Sequence, residues 1–559
     1  MKRLLLTCFV FLICFAGSLI AENLPPYTSM VYPGVDGKLV YVPDEQGNII
    51  PDYSYAGYCC GGVTLPYVPV RETVWPVEGD NAANIQEAIN RVSELPLDNN
   101  GFRGAVLIKK GYYKLYEPIH ITASGIVLRG EGMNGSGTTL IAMTTDELKT
   151  GNTFRSSALI VIDGQQKIEP DTGKSVRIVD EFVPFGAKSF RVESAKKLKV
   201  GDTVIVRRKT TREWFETLEL DIDNDKWGRG EVAWSHDFDR VITGIDRNII
   251  TVDVPITCPI EARWGGGEVI PYTEYRISKV GVENLMGISE YDQTKRIDTA
   301  TNIDRIPFYT DEYYNDENHY WTFIRMDNLT NGWVRNVTQK HFAMSLVSVE
   351  SGCKWITVQD CVSLDPISMR SGGRRFIYHI SGQLCLVQRC TSDLGRHSFV
   401  MGGRLTTGPN VFLDCTATRP YSTSEPHSDL VAGALYDNIH APLSLRYAAS
   451  TIQRWMAIWG VLWNCEGMYI CQKPPVGQNF AFGHIGIHAV VFNTNLVDHR
   501  FPNGHIESWD KHVAPRSLYL KQLDDRLGSE AVRNIAVPSQ LIDPSNEPWG
   551  GNAEGVLLR

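Results

Sequence analysis

The stretches "VQDC" (358–361), "VQRC" (387–390) and "FLDC" (412–415) are three versions of one phrase, each setting a polar residue directly before a cysteine. Working outward, "VENL" (282–285) and "VRNV" (334–337) precede them, and "YDNI" (436–439), "LWNC" (462–465) and "VFNT" (491–494) follow. From Val337 to Thr494 the phrase ends recur at spacings of 24, 29, 25, 24, 26 and 29 residues. Short alternating runs of this kind read as strands, and no long helical pattern lies between them. A unit of roughly 25 residues made of short strands fits one coil of a parallel β-helix, where equivalent side chains stack along the axis. The reading predicts an interior ladder of Cys361, Cys390, Cys415 and Cys465. It places the Asn and Asp of the phrase at turns, with their side chains bonded to local backbone. A leucine-rich repeat has a similar period, but its consensus is absent.

The chain has 559 residues and a formal charge of −9. That length suits one elongated unit or two to three smaller ones. The acidic balance gives no sign of nucleic-acid binding. The first residues, "MKRLLLTCFVFLICFAGSLIAEN", combine a basic start, an apolar run from Leu4 to Phe15 and small residues up to Ala21. They read as a signal peptide, which predicts a secreted or periplasmic protein with no membrane span. Ten of the twelve cysteines lie beyond that leader. Export permits disulfides, yet four of the ten fall on the repeat, which predicts an interior stack rather than bridges. Cys59 and Cys60 are adjacent and suggest no pairing. No CxxC with histidine partners is present, so a structural zinc site is not expected. Calcium stays open as a cofactor, without a clear site in the sequence.

Toward the N-terminus, "GDNAANIQEAINRV" (79–92) reads as an amphipathic helix with Ile85, Ala88, Ile89 and Val92 on one face. It would cap the open end of the solenoid. "GAVLIKKGYYKL" and "IHITASGIVLRGEG" follow as strand pairs punctuated by glycine. Together with "DYSYAGYCCGG" (52–62), this run resembles the start of the pectate-lyase-like right-handed parallel β-helix superfamily, in a bacterial exported, polysaccharide-acting branch. The resemblance covers roughly residues 50–145 closely, and about 275–500 in pattern. It implies an all-β solenoid with an N-terminal capping helix and a small inserted β section. The expected organisation is a signal peptide (1–21), an N-terminal extension (22–75), the start of the β-helix (76–188), the insertion (189–275), the main coils (276–505) and a C-terminal cap and tail (506–559). "PRSLYLKQLDDRLG" (515–528) is read as the helix of that second cap.

The chemistry is sought where charge departs from the acidic average. Between Arg335 and Arg446 there are eleven Lys or Arg against eight Asp or Glu, and five of the thirteen histidines. His341, His397 and His427 each stand just before an apolar stretch, so successive coils stack them on one face about 4.8 Å apart per coil. A stacked basic face suits an acidic polysaccharide. In β-elimination at a uronate, the proton α to the carboxylate leaves, charge builds on the carboxyl group, and a leaving oxygen needs a proton. A neutral histidine beside Arg or Lys can be the base. The catalytic candidates are therefore His397, His427, Arg396, His341 and Lys340. The substrate-binding candidates are Arg404, Arg374, Arg375, Glu425, His379 and Tyr421, with Tyr421 or Tyr378 as acid. Arg396 and Arg404 would hold the carboxylate through bidentate bonds.

The motifs of the better-known relatives are missing. Neither the WiDH and RxxPxxR patterns of pectate lyases nor the NTD, paired-Asp, GHG and RIK patterns of polygalacturonases occur in the repeats. The leading expectation is a secreted lyase of an acidic, uronate-containing polysaccharide, with sulfated forms included, acting as a monomer. A hydrolase using Glu425, Asp429 and Asp365 is the alternative, and a non-catalytic glycan-binding solenoid the third.

Overall fold

The computed structural model describes residues 26–145, 157–220, 234–297, 312–403, 405–448, 454–488 and 497–542. Three rows of parallel strands run along it, the arrangement of a right-handed β-helix. The first row holds Val70–Val74, Gly104–Ile108, Ile126–Arg129, Gly281–Ser289, Trp333–His341, Thr357–Gln359, Leu386–Gln388, Thr407–Leu413, Val431–Asp437, Val461–Trp463, Phe480–Phe482 and His505–Glu507. The second row holds Gly111–Leu115, Thr138–Ala142, the far halves of Gly281–Ser289 and Trp333–His341, then Val362–Pro366, Thr391–Asp393 and Thr416–Thr418. The third row holds Ile119–Ile121, Ala158–Asp163, Thr322–Asp327, Ser345–Val349, Phe376–Ile380 and His397–Met401. It continues through bridges from Gly402 to His427 and from Ser424 to Leu443.

The repeated phrase marks the corner between the first and second rows. Its third residue adopts a left-handed backbone in seven coils: Asn284 (φ 58°), Asn336 (53°), Asp360 (55°), Arg389 (51°), Asp414 (51°), Asn438 (55°) and Asn464 (49°). This conformation crowds Cβ against the carbonyl, and Asn and Asp tolerate it best. The corner side chains bond to one another and to the C-terminal segment rather than to local backbone as expected. Asn336 Nδ2 donates to Asn284 Oδ1 (3.0 Å), Arg389 forks onto Asp360 (2.7 and 2.9 Å), and Asn464 Nδ2 donates to Val513 O (2.7 Å). The next residue turns into the core. Cys361, Cys390, Cys415 and Cys465 are fully buried and unbridged. Each thiol donates to the carbonyl two residues back, at 3.1, 3.3, 3.3 and 3.4 Å.

The coil after "LWNC" is not "VFNT", which lies outside the described residues. It is Phe480–Phe482, paired with Val461–Trp463 and turned at Gly483 (φ 66°). The corner residue there is glycine, which reaches that φ without Cβ strain and so departs from the Asn/Asp pattern of the phrase.

Three segments cover the outer side of the first row. The N-terminal segment crosses it, with Gly57 N donating to Leu384 O (2.8 Å), Tyr58 N to Thr357 Oγ1 (2.8 Å), and Arg335 to the carbonyls of Leu65 and Pro66 (both 3.1 Å). An antiparallel sheet built around Thr203–Lys209, Ser235–Asp246 and Gly267–Thr273 covers the later coils. Its buried Asp239 bonds Lys354 Nζ of the solenoid (2.7 Å) and Arg276 (2.9 Å). Trp214 of this section is fully buried, under Arg208. The helices Leu518–Leu527 and Ser529–Ile535 complete the cover: Asp437 Oδ2 accepts from Ser517 Oγ (2.7 Å) and Tyr519 N (2.9 Å), and Arg389 reaches Ile535 O (3.0 Å). The C-terminal segment is therefore a strap along the flank and not the end cap expected, because it bonds Arg389, Asp414 and Asp437 on three successive coils. The helix Ala82–Ser93 buries Ile85, Ala88, Ile89 and Val92 against the first coil, as its periodicity predicts.

Candidate active site

With the first row covered over much of its length, the outer faces of the second and third rows are the more open ones. In the third row, Tyr378, Ile380, Phe399, Met401, Leu443 and Leu445 belong to the core. The residues alternating with them, His379 and Ser444, therefore face outward. The same period of two runs through "TSEPH", where Thr423, Glu425 and His427 share a side, and through "LSLR", where Ser444 and Arg446 do.

Glu425 is the centre of this cluster. Its carboxylate accepts from Thr423 Oγ1 (2.9 Å), from Ser444 Oγ, and from Arg446 Nε (3.1 Å). His427 Nδ1 lies 3.2 Å from its Oε1, and His397 Nδ1 3.7 Å. Glu425 is fully buried, His397 is 1 % exposed, and His427 and Arg446 are each 9 % exposed. Burial opposes ionisation of Glu425, but Arg446, His397 and His427 outweigh it and hold the carboxyl well below its usual range. Burial pushes both imidazoles below their ordinary value, and Arg396 adds to this at each. The result is an ionised carboxylate facing two neutral rings. His397 Nδ1 bonds Thr423 O, while its buried Nε2 has no partner among the described residues. The two rings lie 4.9 Å apart, and Phe376 packs edge-on against both.

Of the predicted site residues, His397, His427 and Glu425 come together here, with Arg396 and His379 beside them. Arg396 bonds Gly372 O and reaches over Phe376. His341 and Lys340 lie apart, at the corner after the second row, where His341 Nε2 faces Asp365 Oδ2 at 3.5 Å. The hydrogen bond from His341 lowers the Asp365 carboxyl, and Lys340 and Arg375 add to it. The expected continuous face is broken because His341 belongs to the second row's corner, whereas His397 begins a strand of the third. Arg375 is 2 % exposed and spends its guanidinium on Ser368 and on Leu394 O, so it is a fold residue rather than a substrate-binding one. Arg374 is forked onto Glu317 (2.5 and 2.9 Å). Tyr421 is 4 % exposed, with Arg370 held between its ring and that of Tyr313 (3.9 and 3.8 Å). Tyr378 is a core residue stacked on Phe399, its hydroxyl bonded to Cys361 O and Thr391 O, which removes it as an acid. Arg404 lies outside the described residues.

Thr423, Ser444 and Arg446 were not among the sequence candidates. The alternation in "LSLRYAA" was their signal: leucines at 443 and 445 turn Ser444 and Arg446 to the other face. A separate cleft of about 80 Å³, lined by Gly57, Tyr58, Arg335, Gln359 and Gln388, lies beneath the N-terminal segment on the first row.

Among the described residues, His397, Glu425 and His427 form the one group of three His, Cys, Asp or Glu side chains close enough to surround a metal ion. The donor set does not fit one as it stands. Calcium takes oxygen ligands and not imidazoles. For a softer ion, His397 Nδ1 is taken up by Thr423 O, and Arg446 already neutralises Glu425.

No family model matches the chain, and no curated protein matches it. Solved structures of low similarity do. The tailspike protein gp49 from Pseudomonas phage LKA1 aligns over 73% of this chain and 56% of its own, with 12% identity and a TM-score of 0.39. The DFA-IIIase from Arthrobacter chlorophenolicus A6 in complex with GF2 aligns over 81% and 88%, with 10% identity and a TM-score of 0.36. The Gp54 tailspike of Acinetobacter baumannii bacteriophage AP22, in complex with a capsular saccharide, aligns over 73% and 62%, with 10% identity and a TM-score of 0.28. The chain thus spans less than two thirds of these two tailspikes. Among the described residues no helix is long and apolar enough to cross a membrane.

Proposed function

We propose that this chain is an exported polysaccharide lyase that cleaves an acidic, uronate-containing glycan by β-elimination, with His427 as the base. The observation that carries the reading is the contact of His427 Nδ1 with Glu425, itself clamped by Arg446, Ser444 and Thr423. A carboxylate at Nδ1 fixes the tautomer and leaves Nε2 as the basic nitrogen. In the reaction, Nε2 takes the proton α to the uronate carboxylate. The C–H electrons form the new C=C bond, and the glycosidic C–O bond breaks. Arg396, beside both histidines, holds the carboxylate on which charge accumulates. Arg446 keeps Glu425 ionised, and His397 supports the Thr423 carbonyl. The apolar leader is the ground for export.

Hydrolysis by paired carboxylates is the weaker reading. It needs a protonated carboxyl group as acid, and Glu425 is held ionised with both oxygens engaged. The test is a panel of uronate-containing and sulfated polysaccharides. Wild type is expected to release products with the ultraviolet absorbance of an unsaturated sugar. His427→Gln is expected to lose at least about 10²-fold in turnover with an unchanged circular dichroism spectrum. New reducing ends without that absorbance would favour hydrolysis, and binding without either signal would make the protein a glycan-binding solenoid.

A further inference from the structure

His379 stands outside the hydrogen bonds around Glu425, yet it is oriented in the same way as His427. It faces outward from its strand, in register with Ser348 on the preceding coil. Ser348 Oγ lies 2.8 Å from Glu350 Oε1 and 3.2 Å from His379 Nδ1. The hydroxyl has one proton, and an ionised carboxylate can only accept it. Ser348 therefore receives the hydrogen bond from His379 Nδ1–H, and the other ring nitrogen, Nε2, is left as the site of proton exchange. On the following coil that nitrogen meets Gly402, where an added Cβ would come within 2.1 Å of it. Glycine at 402 is thus a steric requirement of the His379 ring. Phe376 lies between the two imidazoles, 5.9 Å from His379 and 4.8 Å from His427.

We propose that His379 is the proton donor to the leaving oxygen, with Ser348 and Glu350 as positioning residues behind it. The proposal rests on the elimination reading above. The step balances: the proton from carbon goes to His427 Nε2, the C–H pair becomes the double bond, the C–O bond breaks toward oxygen, and that oxygen takes the proton of His379 Nε2. The groups facing His379 are Glu350 and Ser348 on one side, Phe376 on its own strand, and Gly402 and His427 on the other. At His427, Glu425 favours the cation and Arg396 and Arg446 oppose it; at His379, Glu350 favours the cation and His427 opposes it. Burial lowers both rings.

A leaving-group comparison tests this. A general acid matters when the leaving oxygen is a sugar alkoxide and matters little when it is a nitrophenolate. His379→Gln is expected to lose about 10²–10⁴-fold on polysaccharide, but only a few-fold on a uronate carrying nitrophenolate at the scissile position. Gly402→Ala should behave likewise, and Glu350→Gln should shift the pH profile of kcat with KM little changed. Equal losses on both substrates would overturn the donor role while leaving the elimination intact. If wild type forms no unsaturated product from any uronate glycan, the elimination itself falls, and the role of His379 with it.

Discussion

Arg446 Nε lies 3.1 Å from Glu425 Oε2, although the two residues sit on successive coils and both are almost sealed from solvent. An ion pair in such a place is costly to form and more costly to halve. Glu425→Gln is expected to destabilise the protein by about 3–5 kcal/mol, because it strands a buried guanidinium. Adding Arg446→Met should recover part of that loss. Urea midpoints of the two single variants and the double variant measure the coupling.

Arg396 lowers His427 electrostatically after burial has done so. The base must be neutral to act, so the acid limb of the kcat profile should lie below the ordinary histidine value of about 6.5. In Arg396→Ala the lowering is partly lifted, and the acid limb of the kcat profile should move up. An acid limb that stays in place would separate Arg396 from the base.

The buried histidines also govern stability in acid. His236 is fully buried, bonded to Leu430 O at 2.8 Å, and lowered to about 3; His484 is lowered to about 4. Their folded values lie below the unfolded one, so the unfolded chain takes up protons first as pH falls. The stability they confer is complete above about 6.5. It is lost progressively as pH falls toward 4 for His484 and toward 3 for His236. Asp437, raised to about 7 by burial, acts in the opposite sense, and its contribution fades as pH rises from about 4 to 7. The urea midpoint should drop between pH 7 and pH 4.5, and His236→Gln should reduce that difference.

Eight of the ten cysteines in the described residues are buried, while Cys59 and Cys60 are half-buried on the N-terminal segment. Alkylation of the native protein should mark Cys59 and Cys60 first, and the other eight only on denaturation. Rapid native labelling of Cys390 or Cys415, read by peptide mass, would contradict the sealed ladder.

Asn336 holds a left-handed backbone and donates to Asn284 Oδ1 at 3.0 Å. Asn336→Ala should cost about 1–2 kcal/mol from the backbone alone, and Asn336→Gly less. Thermal unfolding of the two variants compares them directly.

The solenoid was legible because a corner repeats a local demand. Most coils need a residue that accepts positive φ, followed by a small or apolar one that fits the interior, and both leave a signature in sequence. The period failed at Phe480–Phe482 because glycine answers the same demand without resembling Asn or Asp. His397, His427 and Glu425 were legible as a stacked polar group, since neighbouring coils bring residues about 25 positions apart into contact. The wider basic face was not, because row membership depends on where each coil bends: His341 closes the second row, whereas His397 opens a strand of the third.

The sequence by itself determined the coil, its corner and the alternation that turns Ser444 and Arg446 away from Leu443 and Leu445. Only the tertiary structure decided which outer face stays available for chemistry. The N-terminal segment, the inserted sheet and the C-terminal helices each carry apolar patterns that any buried surface would satisfy, and all three settle on the first row. It also decided the charge state of the candidate site. Glu425 is an ionised partner and not a proton donor, because Arg446, one coil away, lies against it in a place that water barely reaches.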